Sequence, residues 1–165
     1  MKTASLNEIK TELGHYGNDE LVDLCMRLAK YKKDNKELLT YLLFEAIDEN
    51  SFIESIKKEI DCSLDEMNRS TLYFAKKTIR KILRFTNKYI KYSGSKQTEV
   101  ELLIYFCSKL KASGLPVESN NIIFNIYIRQ IQRIKKALSG LHEDLQFDYK
   151  DDLESLALEY SPKNV

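Results

Sequence analysis

Along most of the chain, apolar residues return at intervals of three and four, the spacing that lines one face of an α-helix. Leu21, Leu24, Cys25 and Leu28 draw one such stripe, and Ile123, Tyr127, Ile131, Ile134 and Leu138 draw another. The pattern predicts helices near residues 5–13, 18–33, 35–47, 50–61, 64–92, 96–113, 119–139 and 148–160. The isoleucine-rich run NNIIFNIYI also has a strand-like look, but its continuation RQIQRIKKAL keeps helical spacing, which favours a helix throughout.

Punctuation agrees with these divisions. Gly14, Gly17, Gly94, Gly114 and Gly140 stand between the periodic runs, where a residue tolerant of left-handed dihedrals ends a helix. Ser5 with Glu8, Ser63 with Glu66 and Thr98 with Glu101 have the spacing of capping boxes. A faint echo links the stretch from Cys25 with the stretch from Cys107: each passes from a C-x-basic-L step through a polar turn into a strongly apolar helix. The expected fold is all-α, an irregular multi-helix bundle or a short HEAT-like α-α stack. It would have about seven or eight helices around a long central helix, in one domain spanning 1–165.

The segment 64–92 has the most distinctive patterning. Within KKTIRKILRFTNKYIKY, seven basic side chains alternate with apolar ones and no acidic residue intervenes. On a helix turning about 100° per residue, Lys76, Lys77, Arg80, Lys81, Arg84, Lys88 and Lys91 fall inside an arc of about 140°. Leu72, Phe74, Ile79, Ile82, Leu83, Phe85, Tyr89 and Ile90 fall on the opposite side, and Tyr73 alone stands among the cations. From Met67 through Thr98 there are nine Lys or Arg and no Asp or Glu, so the outer face is a basic stripe. Two acidic blocks, 48–66 and 143–159, each hold seven carboxylates and are placed in sequence to neutralise it from within the molecule.

Composition narrows the possible roles. The 165 residues suffice to bury a core without disulfides, and 31% charged residues at net +1 argue against a polyanion-binding tail or a disordered chain. Three cysteines with no ligand or redox spacing are expected to be buried thiols in a reducing compartment, which points to the cytoplasm. The longest apolar run, LLTYLLF, is far short of the roughly 20 residues a bilayer crossing takes, so no membrane role is expected.

Candidate chemistry is sparse. With only His15 and His142, acid-base work would rest on carboxylates, tyrosines or cysteines. Glu12 and His15 match half of a carboxylate-bridged di-metal motif, but Gly14 interrupts it and no second copy exists. Glu45, Asp48 and Glu49 gather at a helix end, where capping the next helix is the commoner use. No phosphate loop, nucleophile elbow or zinc signature is present. No catalysis, cofactor or metal is therefore expected. The expected role is a non-catalytic helical scaffold or protein-interaction module that meets an acidic protein partner at the stripe formed by Lys76, Lys77, Arg80, Lys81, Arg84, Lys88, Lys91 and Tyr73. The alternative is sequence-independent nucleic-acid binding at the same stripe, helped by Arg129, Arg133 and Lys136.

Overall fold

The structure is a computed structural model that describes residues 2–156. Among these residues it is all-helical: α1 (Leu6–Leu13), α2 (Asn18–Tyr31), α3 (Lys33–Thr40), a π-helical turn (Tyr41–Glu45), α4 (Glu49–Asp65), α5 (Leu72–Ser93), α6 (Lys96–Ala112), α7 (Asn121–Leu138), α8 (Glu143–Asp148) and α9 (Lys150–Ser155). The isoleucine-rich run is helical, as its continuation predicts; Asn120 caps it by accepting from the backbone N–H groups of Ile122 and Ile123. The chain divides between Ile47 and Asp48 into two compact units.

In the first unit, Ser5 and Glu8 complete the predicted capping box on α1, and α2 packs on α3 to form a hairpin. The helix expected over 35–47 begins earlier and changes pitch, since the Ala46 N–H reaches back five residues to the Tyr41 carbonyl. No residue of α1, α2 or α3 is buried.

In the second unit, α6 packs against α4, α5 and α7. Val100, Leu102, Leu103, Ile104, Phe106, Cys107 and Leu110 are buried over an arc of roughly 200°, wide enough to meet several helices at once, while Glu101, Tyr105 and Ser108 keep the other side toward solvent. The core therefore centres on α6, and α5, the longest described helix, lies at its side. In the two stretches joined by the sequence echo, α6 packs on α7 and α2 packs on α3. The echo does not extend to burial: Cys107 is in the core, whereas Cys25 is exposed.

Five local expectations need correction. The helix predicted over 64–92 is two helices: α4 runs on to Asp65, and α5 starts only at Leu72. Between them the Asn68 side chain accepts from the Ser70 N–H and Thr71 caps α5 through the Phe74 N–H, so short polar side chains capture the backbone. Ser63 lies inside α4 and caps nothing. At Thr98, the cap is Ser95, which accepts the Thr98 N–H, while the Thr98 hydroxyl is buried and donates to Glu49. The helix expected near 148–160 appears as the shorter α9, preceded by α8, which the spacing did not predict; positions 157–160 lie outside the described residues. Finally, Cys25 and Cys62 are exposed; of the three thiols only Cys107 is buried.

Candidate functional site

α5 is fixed at both ends. Thr71 caps its start, and Gly94, with φ of 66°, takes the left-handed conformation that ends it. At about 1.5 Å per residue it is roughly 33 Å long, shorter than a continuous 64–92 helix would be. Ala75, Ile79, Ile82, Thr86 and Ile90 form its buried stripe, spaced by four, three, four and four residues. The buried strip is narrower than the apolar arc in the sequence, because Leu72 and Phe74 are each 42% exposed. Farther along, Tyr89 makes edge-to-face contacts with Phe85, with Tyr92 and with Phe52 of α4.

The basic stripe lies on the opposite side. Lys77, Arg80, Lys81, Arg84 and Lys91 are exposed, Lys76 is half-buried, and Tyr73 is 68% exposed. Among the described residues, none of these six cations has a hydrogen bond or ion pair. Lys88 departs from the group, since its ammonium lies over the rings of Tyr89 at 5.1 Å and Tyr92 at 6.0 Å. An open groove of about 500 Å³ runs along this face, lined by Tyr73, Lys77, Arg80, Leu83, Arg84 and Asn87.

The described carboxylates of the acidic blocks are engaged elsewhere or left open to water. Asp48 caps α4 by accepting from the Ser51 N–H, and Glu49 accepts from the hydroxyls of Ser93 and Thr98. Glu54 pairs with Lys57, Asp61 pairs with Lys109, and Cys62 donates to Glu66. In the second block Asp144 lies 3.3 Å from His142, and Glu154 lies 3.9 Å from Lys150. No described carboxylate pairs with the six open cations. Lys76 with Arg80, Lys77 with Lys81 and Arg80 with Arg84 are thus like-charge neighbours one turn apart, each unfavourable by roughly 0.2–0.5 kcal/mol. A bound anion would relieve that repulsion.

A second polar cluster joins α4 to α6. Lys57 bonds Glu101 at 2.7 Å and Glu54 at 2.8 Å, and Asp61 accepts from Tyr105 at 2.6 Å and pairs with Lys109 at 2.9 Å. Both ammonium groups also face the Tyr105 ring. Burial opposes charge on Lys57, but the bonds to Glu101 and Glu54 outweigh it and hold the ammonium above its usual range. Burial likewise pushes Asp61 up, and the bonds from Tyr105 and Lys109 outweigh it, leaving the carboxyl below its ordinary value. Each member has a partner inside the cluster, so it acts as a clamp between two helices. Among the described residues no group of histidines, cysteines and carboxylates is arranged to hold a metal ion, and no helix is long and apolar enough to cross a membrane.

Of the supporting cations on α7, Arg129 and Lys136 are exposed, but Arg133 is spent internally: its Nε lies 2.7 Å from Glu99, and its Nη1 donates to Asn87. Leu83 and Asn87 belong to the groove and were not singled out by sequence. For Asn87 the signal was register, because 73, 77, 80, 84 and 87 recur at alternating steps of four and three along one helical face; Leu83, placed by its helical angle on the apolar side, instead borders the groove. No protein family, curated protein or solved structure matches this chain.

Proposed function

We propose that this chain is a non-catalytic helical interaction module whose open α5 face takes up an acidic segment of a partner protein. The observation that carries this reading is the groove, where Tyr73 and Leu83 flank Lys77, Arg80 and Arg84 and the cations have no counter-charge of their own among the described residues. Aromatic and aliphatic surface supplies burial, and two arginines one turn apart supply forked donors for carboxylates. A phosphate backbone would use the cations but gain little from Leu83, and the internal pairing of Arg133 shrinks the basic area that reading needs. The chain's three free thiols fit a cytoplasmic setting.

The test is fluorescence anisotropy of the full chain with a labelled peptide of glutamates and leucines, run beside random single- and double-stranded oligonucleotides. Saturable peptide binding that is lost in Arg80→Glu/Arg84→Glu, at unchanged melting temperature, is the expected result. Oligonucleotide binding that falls steeply with salt, with no peptide binding, would replace this reading by the nucleic-acid one.

A further inference from the structure

The first unit has an unusual balance of surface to core. Within residues 2–47 only Tyr41 is buried, whereas Val22 and Leu28 are each 60% exposed, Met26 46% and Tyr31 78%. Segments this short rarely supply enough internal burial to hold themselves together. α2 is apolar around most of its circumference, with α3 against one part of that arc; the two helices flank an apolar groove of about 240 Å³ lined by Cys25, Leu28, Ala29, Leu38, Leu39 and Leu42. Val22 and Met26, one turn apart, form a separate strip beside it.

Charge around that strip selects an occupant. At about 100° per residue, Asp19, Asp23 and Lys30 all fall on one flank of the Val22–Met26 strip, while Leu21 and Cys25 fall on the other. The charged flank is acidic in the first half of α2 and basic in the second. In an antiparallel helix pair, like flanks meet like flanks; in a parallel pair, opposite flanks meet. An antiparallel copy of α2 therefore sets Asp19 beside Lys30 of the second copy, and by symmetry Lys30 beside Asp19 of the second copy. A parallel copy would set these charges against Leu21 and Cys25. Among the described residues, Asp19, Asp23 and Lys30 have no internal partner.

We propose that the N-terminal unit binds the same unit of a second chain through a two-fold, antiparallel contact of α2 centred on Val22 and Met26. Such an isologous contact buries the same strip on both copies and closes on itself. Sedimentation equilibrium of the full chain over a micromolar range tests it. A reversible monomer–dimer equilibrium is expected for the unaltered chain. Asp19→Lys and Lys30→Asp should each weaken it by about tenfold, since two exposed ion pairs become two repulsions. The double variant should restore it. Val22→Glu/Met26→Glu should be monomeric; because that change also risks loosening the hairpin, helicity is followed by circular dichroism and the charge swap remains the decisive arm. Arg80→Glu/Arg84→Glu should dimerise normally, which separates this contact from the α5 surface. A monomer at every concentration, or a double swap that fails to restore pairing, overturns the proposal.

Discussion

Replacing Arg133 by alanine removes a strut whose contribution can be worked from its surroundings. Its guanidinium joins α7 to α6 through Glu99 and to α5 through Asn87, so one side chain ties three helices together. The Arg133 side chain is 37% exposed and that of Glu99 22%, so part of the charge interaction is already screened. A buried charge-assisted bond would contribute about 1.5–3 kcal/mol and a neutral one about 0.5–1.5 kcal/mol; with partial exposure the loss comes to about 1–2 kcal/mol. For a chain of 165 residues, a melting-temperature drop of roughly 2–8 °C follows. Arg133→Lys should fall between, because an ammonium can meet Glu99 but cannot also fork onto Asn87. Thermal melts by circular dichroism at low and high salt provide the measurement, with the gap between variant and unaltered chain narrowing as salt rises. If Arg133→Ala melts with the unaltered chain, the guanidinium is not bearing on the core and is available to a ligand after all.

Thiol labelling of the native chain with an aromatic disulfide should proceed at Cys25 and Cys62 and fail at Cys107 until the chain unfolds, since burial pushes the Cys107 thiol up to about 12. Cys62 should react more slowly than its exposure alone implies, because the Glu66 carboxylate beside it raises its pKa. The clamp between α4 and α6 gives a pH signature. The Asp61 pKa is lowered in the folded chain, so its contribution is fully present above the unfolded value of about 3.9 and is lost as pH falls through the folded one. The stability difference between the unaltered chain and Asp61→Asn should therefore stay constant from neutral pH to about 4 and shrink below it; urea titrations showing a pH-independent difference would count against the clamp.

The class of fold was legible in three- and four-residue spacing, because each helix on the core must bury a face. The placement of the basic residues on one side of α5 followed from the same rule. Three things were hidden. The break at residues 66–71 carries neither glycine nor proline, and its signal was the competition of the Asn68 and Thr71 side chains for the nearby N–H groups of Ser70 and Phe74. The broad burial of α6 was written in the near-continuous apolar run LLIYFC, whose lack of a clean polar stripe hides which side packs, whereas the neighbouring α5 segment is sharply amphipathic. The fate of the carboxylates was beyond sequence, since Glu49 meets residues 44 and 49 positions away, and only the folded path brings them together. The same holds for Arg133: its cationic neighbours Arg129 and Lys136 are exposed, and only the packing of α7 against α6, with Asn87 of α5 within reach, separates its role from theirs.

The separation of tasks around α5 has an evolutionary implication. Because Lys76, Lys77, Arg80, Lys81, Arg84 and Lys91 have no bond to the described scaffold, their identities are set by solubility and by whatever the face meets. Ile79, Ile82 and Ile90 one half-turn away answer only to packing. Substitutions on the outer half are therefore cheap in folding terms, and the charge of that face can change over generations while the same inner half is inherited unchanged.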